Sequence, residues 1–576
     1  MRAKRWIVSQ PDSPDAAARL ARSLGISPVV AALLVARGYA DEDSARKFLH
    51  PSLDQLHDPS LMLGMRESVA RLLAAIDAGE KILVYGDYDV DGTTGTVVLR
   101  RALGLLGAKT GFHVPHRFTE GYGIQQEALE RAAADGYKVV VSVDCGIRAH
   151  EPLRWARANG LDLIVTDHHL PDEDEGAPPA FAVLNPNQRG CNYPDKNLAG
   201  VGVAFKLADA LFRERGRASQ VKGFLKMVAI GTVADVAQLT GENRTIVALG
   251  LADLPRATNP GLRALMEVAG CNEGRGLTAY DVGFRLGPRI NAAGRMDAAR
   301  AVVELFETQD KEEARRLAEQ LDARNRERRS VQDEIVKRAH AELESSTAGG
   351  VRQAHVAVIA GDGWHRGVIG IAASKIAERI NRPCIVISLD GEVGHGSARS
   401  IEAYHLLDGL TGCAELFEKF GGHSHAAGLT IRRERIKELR RRLNDHAALR
   451  LCADDLVPSL RIDAELPAAA LSLQMVEELS ALEPFGAGNP RPVFMTGNLR
   501  VMSEPRVMKD KHLKLRLAGE DGQALEAVWW SGLEELAGER TLAPGTRIEL
   551  AYTVEPNTWK GETRLQLCVK DMRIGE

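Results

Sequence analysis

At 576 residues the chain exceeds what one hydrophobic core organises, so about three or four domains are expected. Its 44% apolar and 26% charged residues are ordinary for a globular protein, and a formal net charge of −4 excludes a globally basic nucleic-acid binder while leaving a local basic groove open. Seven scattered cysteines without a Cys-x-x-Cys pair argue against a disulfide framework or a zinc ribbon and for a reducing cytosol. The start, "MRAKRWIVSQPDSPDAA", lacks the apolar run of a signal peptide, and no stretch has the length of a membrane span.

Residues 1–60 read as a helical lead-in, with "PVVAALLVARGY" followed by "DEDSARKFLHPSL" and Asp41 or Asp43 as N-cap. From residue 65 short Val/Ile-rich runs alternate with helical segments. The runs are "KILVYGD" (81–87), "KVVVSVDCG" (138–146) and "LDLIVTDHH" (161–169). Near-continuous apolar strands between helices predict a parallel sheet covered on both faces, in an α/β domain over 61–305. Residues 306–349 form a connecting segment built on one long charged helix, with apolar returns at Leu317, Leu321, Ile335 and Ala339. Its charges are of both signs, which suits a solvated helix better than a basic arm. A second α/β domain is expected over 350–454, with strands "HVAVIAG" and "PCIVISL" flanking a helix through "GVIGIAASKIAERI". In 455–576, "HLKLRL" and "TRLQLCV" alternate apolar and polar residues, and "PNTWKGET" (556–563) reads as a turn, which predicts a small antiparallel β-barrel. The fold class is thus α/β: two α/β domains joined by a long helix, then a barrel.

Each of the first three strands ends in acid: Asp87, Asp89 and Asp91 after the first, Asp144 after the second, Asp167-His168-His169 after the third. Asp235, in "GTVADVAQL", follows a further apolar run. Open parallel sheets bind ligands beyond the carboxyl ends of their strands. Any one Asp there could simply cap the next helix. Their joint occurrence with a His pair instead indicates a cation site, since like charges this close repel unless neutralised. Carboxylates with one or two imidazoles suit Mn²⁺ or Mg²⁺ better than zinc, and six ligands suffice for two divalent ions sharing one carboxylate. Cys145 reads as a small buried residue beside this cluster.

"GDYDVDGTTG", "SVDCGI", "TDHH" and "VADV" resemble the four motifs of the DHH phosphoesterase family. "GHGSARS" (394–400) and "GGHSHAAG" (421–428) resemble its companion substrate-binding domain, DHHA1. "HVPHRFTEGYG", "GPRINAAGRMD" and "EPFGAGNPRPVF" are similar to the single-strand-specific exonucleases within that family. The resemblance implies that Asp89 and Asp91 each hold one metal, Asp144 bridges both, and His168 and Asp235 complete the set, with Asp87 a ligand or a neighbour of one. It implies that His169 acts at the scissile phosphate and that Asp167 orients an imidazole. Ser397 and Arg399, with Arg117 and either Arg289 or Arg295, are the implied grip on a terminal phosphate; His423 would contact the substrate backbone and His425 would be structural. The barrel becomes an OB-like fold, with Lys509, Lys511, Lys514 and Arg516 for the strand's backbone and Trp529, Trp530 and Trp559 for stacking.

The implied function is a metal-dependent 5′→3′ exonuclease on single-stranded DNA that releases 5′-mononucleotides in recombination and repair. A single-strand-binding protein and a helicase are the implied partners, with a monomeric cytoplasmic enzyme and no membrane. A phosphodiesterase on short oligonucleotides or cyclic dinucleotides would share the metal core but generally lacks a domain after "GGHSHAAG". A non-catalytic replication scaffold would have no reason to keep every carboxylate and both histidines.

Overall fold

The computed structural model describes residues 4–9, 13–117, 119–271, 276–295, 299–347, 354–536, 542–559 and 561–575, without the side chains of 344–347 and 559. The chain forms two compact units. One comprises Asp15–Asn325 with Leu479–Arg491; the other comprises Met1–Pro14, Arg326–Glu478 and Pro492–Glu576.

In the first unit, β1 (Lys81–Gly86), β2 (Lys109–His113), β3 (Tyr137–Val143), β4 (Asp162–Thr166) and β5 (Ala182–Leu184) make one parallel sheet in the order β2-β1-β3-β4-β5. Successive strand residues point to opposite faces. Ile82, Val84, Val139, Val141 and Ile164 therefore enter one core, and Leu83, Tyr85, Val140, Leu163 and Val165 enter another. That double burial is why these strands read as unbroken apolar runs. Helices α1 (Val90–Leu105) and α2 (Gly200–Glu214) supply Val98, Leu99, Phe205 and Leu211 to the first core. A third cluster gathers Ala229 and Ile230 of α3 (Leu225–Ala234), Ile290 of α4 (Gly287–Arg295), and Leu317 and Leu321 of the long helix α5 (Lys311–Thr347). Burying each of these Val, Ile, Leu and Phe side chains stabilises the fold by roughly 1.5–3 kcal/mol.

The apolar returns predicted for α5 are all buried, and they serve different cores: Leu317 and Leu321 pack in the first unit, Ile335 and Ala339 in the second. Asp41, not Asp43, caps the helix Glu42–Leu49, its side chain accepting from the Ser44 amide at 2.9 Å. The lead-in is not wholly helical. Arg5–Val8 is a strand paired in parallel with Ser459–Ile462, too short for its periodicity to be read, and Trp6 donates to Asp571 at 2.7 Å.

The second unit carries a mixed sheet in which Ala357–Asp362 and Cys384–Asp390 are joined by antiparallel strands Val393–Arg399, Ala426–Arg432 and Phe417–Gly422. In the last third, Phe494–Val501, Arg547–Trp559, Glu562–Ile574, Ala524–Trp529 and His512–Ala518 pair in sequence, and the last pairs back to the first. That closes a five-stranded barrel, not the wholly antiparallel one expected, because Ala524–Trp529 and Glu562–Ile574 pair in parallel. The expected turn at 556–563 is much tighter. Pro556 to Trp559 pair residue for residue with Leu565 to Glu562, and Gly561, at φ +83°, lies in the turn. Proline marks turns on average, but here it occupies a strand.

Candidate metal centre

The loop after β1 turns straight into α1. Asp89 caps that helix, its Oδ1 accepting from the Gly92 amide at 3.0 Å, so capping and cluster membership coincide. Asp91, in the first turn, is fully buried, and its two carboxylate oxygens accept from the Gly200 and Val201 amides at 2.7 Å each. A carboxylate at the amino end of α2 is favoured by the free amides and by the helix dipole. Asp144, just after β3, adopts φ +61°, a left-handed conformation that Asp tolerates better than most residues, with its amide donating to the Thr166 carbonyl at 2.9 Å. Gly200 makes room for it: a Cβ there would lie 2.7 Å from Asp144 Oδ1.

Beyond β4, Asp167 is a hub. Its Oδ1 accepts from the His168 and His169 amides at 2.8 and 3.1 Å and contacts His169 Nδ1 at 2.8 Å, while Oδ2 accepts from the Ile147 amide at 2.9 Å. The His169 ring thus has Asp167 as its hydrogen-bond partner. Burial opposes charge on Asp167, but these hydrogen bonds outweigh it and hold the carboxyl below its usual range. Burial likewise opposes protonation of His169, and Asp167 outweighs it there, raising that pKa. His168 is held the other way. Burial pushes its pKa down to about 4, and the positive field of His169 adds to this, so the ring is neutral and fit to donate a lone pair.

His168 Nε2 lies 3.2 Å from Asp144 Oδ1, 3.8 Å from Asp91 Oδ2 and 3.9 Å from Asp235 Oδ2. Three sets of side chains converge closely enough to share an ion: Asp87, Asp89 and Asp144; Asp91, His168 and Asp235; Asp144, His168 and His169. Burial first, and neighbouring carboxylates second, push Asp91 and Asp144 well above the normal carboxylate range, Asp87 to about 8 and Asp235 to about 7. Asp87 Oδ1, Asp144 Oδ1 and His168 Nε2 are buried without a hydrogen-bond partner. Buried polar atoms are nearly always satisfied, and three orphans facing one cluster fit divalent cations. Cys145 is fully buried and belongs to the core beside β1, as expected.

A cavity of about 320 Å³ opens onto the centre, lined by Asp87, Asp89, Asp91 and Asp235 together with Tyr88, Arg117, Tyr122, Asn291 and Arg295. Arg117 stacks over the Tyr88 ring at 4.9 Å. Of the two candidate arginines on α4, Arg295 lines the cavity, whereas Arg289 pairs with Asp322 at 2.9 Å and donates to the Arg285 carbonyl at 2.6 Å. Tyr122 is not singled out by the sequence reading. Its hydroxyl lies 3.5 Å from His169 Nδ1, and only its place in "TEGYG" could have drawn notice.

In the second unit, Ser397 and Arg399 project from one face of their strand, and Arg399 Nη1 donates to Ser397 Oγ at 3.2 Å. Burial lowers the Arg399 pKa. Gly370 on the facing helix leaves space there, since a Cβ would sit 3.0 Å from Ser397 Oγ. The glycines of "GHGSARS" serve close packing. Gly394 and Gly396 face the core, where a Cβ would strike Ile387 or Leu429 within 2.7 Å. His423 is exposed at the turn after Phe417–Gly422, and the His425 backbone carbonyl accepts from the Ser400 amide at 2.9 Å, a structural bond. In the barrel, Trp529 is buried and unavailable for stacking, Trp530 is 57% exposed, Lys514 pairs with Glu526, and the Trp559 side chain lies outside the described residues.

Three family models match the chain: the DHH family N-terminal domain over residues 81–232, the DHHA1 domain over 352–448 and the RecJ OB domain over 462–571. The single-stranded-DNA-specific exonuclease RecJ of Bacillus subtilis (strain 168) is 38% identical over 575 residues, 99% of this chain and 71% of the relative. Crystal structures of RecJ from Thermus thermophilus in complex with Mn²⁺ and with Mg²⁺ match with TM-scores of 0.83 and 0.79 and identities of 31% and 29%. They cover 99% and 100% of this chain and 80% and 79% of theirs. A relative this similar over nearly the whole length leaves one conclusion: the chain belongs to the RecJ family of single-stranded-DNA-specific exonucleases.

Proposed function

We infer that this chain is a metal-dependent 5′→3′ exonuclease that shortens single-stranded DNA by one 5′-mononucleotide at a time. The observation that carries the reading is the set of three orphaned buried atoms on Asp87, Asp144 and His168, set among carboxylates whose charge burial alone would suppress. Asp87, Asp89 and Asp144 would hold one Mn²⁺ or Mg²⁺, and Asp91, His168 and Asp235 a second, with Asp144 near enough to both sets to be shared. When bound, the ions supply Lewis acidity at the scissile phosphate and an acidified water for attack. His169, whose pKa the Asp167 hydrogen bond raises, would give its proton to the departing 3′ oxygen, its ring then returning to neutral. Asp167 holds the ring and takes no proton itself.

Arg117 and Arg295 on the cavity, with Ser397 and Arg399 in the second unit, are the groups we assign to phosphate recognition, and His423 to the strand's backbone. Arg289 is the weaker candidate for that role, since it already pairs with Asp322. The barrel, with Trp530 exposed, would hold the strand further along. Work in recombination and repair, alongside a helicase and a single-strand-binding protein, as a cytoplasmic monomer, belongs to the same reading. Its support is the family to which the chain belongs.

The test is digestion of one oligonucleotide, labelled at either end, as single strand and as duplex, with Mn²⁺, Mg²⁺ or EDTA. Metal-dependent release of mononucleotides from the 5′ end of the single strand is the expected result. Cleavage of dinucleotides only would keep the metal centre and overturn the substrate.

A further inference from the structure

Asp235 is held differently from the other acids of the centre. It does not follow a strand of the sheet; it ends α3, its amide donating to the Gly231 carbonyl at 2.9 Å. The next two amides close the helix, Val236 to the Val233 carbonyl at 3.2 Å and Ala237 to the Thr232 carbonyl at 3.3 Å. This Schellman closure normally uses glycine at the left-handed position. Here that position is Val236, at φ +61°, a β-branched residue whose side chain is 70% exposed. Such a conformation persists only when its surroundings over-determine it. Val236 itself is largely exposed, so the constraint comes from those two closing hydrogen bonds and from the residues that follow.

Those residues are clamped by a segment from far along the chain. Leu239 is buried, and its amide donates to the Ala487 carbonyl at 2.7 Å. Gly486 lies so close that a Cβ would sit 2.7 Å from Leu239 Cδ1, and at Gly488, φ +72°, a Cβ would collide with Gln238 Oε1. The clamp is itself braced. Asn489, fully buried, donates to the Leu482 and Pro484 carbonyls at 2.8 Å each and accepts from Arg37, which also donates to the Pro490 carbonyl at 2.8 Å. Arg244 lies over the Phe48 ring at 3.5 Å and donates to the Leu482 and Glu483 carbonyls at 3.0 and 2.8 Å. Leu479–Arg491 thus belongs to the unit of the metal centre, although the chain on either side of it belongs to the other unit.

We propose that the turn Pro484–Asn489 is a positioning element for the metal ligand Asp235. It fixes the 236–239 backbone in its strained form and so sets the carboxylate for the ion shared by Asp91, His168 and Asp235. The ion held by Asp87, Asp89 and Asp144 does not depend on it. The inference rests on the metal-centre reading above and not on the identity of the substrate.

Gly486→Ala is the direct probe, read by Mn²⁺ titration of the full chain with calorimetry and electron paramagnetic resonance, and by thermal unfolding in EDTA. The expected result is a ten- to hundred-fold weaker affinity for one of the two ions, the size typical of losing a ligand's support, with the other ion and the EDTA melting point near wild type. Adding Leu239→Val removes the atom that the new methyl strikes and should recover much of the loss. Unchanged binding of both ions would overturn the proposal, as would equal weakening of both with a lowered melting point, which is general destabilisation. If Gly486→Ala does not fold, Arg37→Ala loosens the same turn from its far side and must weaken the same single ion. Wild-type protein that binds fewer than two ions would instead overturn the metal-centre reading, whatever the nuclease assay shows.

Discussion

Asp91 and Asp144 are both buried carboxylates a few ångströms from His168, yet their surroundings divide them. Asp91 has two amide donors from α2, whereas Asp144 Oδ1 has none, so the latter depends most on a cation. Asp144→Asn keeps a residue that tolerates φ +61° and removes the charge. We expect kcat to fall on the order of a thousand-fold, about 4 kcal/mol of barrier, with melting in EDTA no lower than wild type; retained turnover would remove Asp144 from the centre. Arg399→Ala should raise KM for 5′-phosphorylated ends about ten- to a hundred-fold, from the 1.5–3 kcal/mol typical of a charge-assisted bond, and leave 5′-hydroxyl ends nearly unaffected.

The same carboxylates set a pH dependence. Asp87 is raised to about 8 and Asp235 to about 7, so between pH 6.5 and 8 the folded, metal-free protein holds protons that the unfolded chain has already lost. Their stabilising contribution is present at low pH and is lost as pH rises through those values. His168, depressed to about 4, acts only below its unfolded value near 6.5 and leaves this window clear. Melting in EDTA should therefore fall from pH 6.5 to 8, Mn²⁺ should stabilise more at pH 8, and Asp87→Asn should flatten the slope. A melting point that rises over this window without metal would show that the cluster is not strained by its own charge.

At the scale of elements, the centre is assembled by three strand ends, the amino end of α2 and the carboxyl end of α3. Gly200 is where α2 meets Asp144. Gly200→Val should abolish Mn²⁺ binding at both sites at little cost to secondary structure, measurable by titration and circular dichroism; normal binding would mean that α2 can retreat. The parallel sheet and α5 were legible because burial on two faces, or on one stripe, writes itself into long apolar patterns. Val393–Arg399 was not legible as a strand, because Gly394, Gly396 and Ala398 make its inward face and no hydropathy pattern shows. Arg5–Val8 and the tight turn at Gly561 escaped for the opposite reason: both are set by pairing partners distant in sequence or facing across the hairpin.

For the molecule as a whole, an acidic protein that grips DNA through the arginines of a local cavity, as proposed, should bind single strands more weakly as salt rises. A log–log slope of several units between 50 and 200 mM salt is expected by fluorescence anisotropy, and a flat response would exclude phosphate contacts as the main grip. The sequence by itself determined the α/β class, the connecting helix, the barrel and which acids and histidines gather into one cluster, since strand-end position and residue chemistry are local properties. Tertiary structure alone decided that Arg295 and not Arg289 reaches the cavity, that Trp529 is core, and that Tyr122 stands beside His169. It also decided that residues 484–489 brace the backbone behind Asp235. Those outcomes depend on which distant segments meet, and hydrogen bonds and close contacts between distant segments leave no periodic trace in either one.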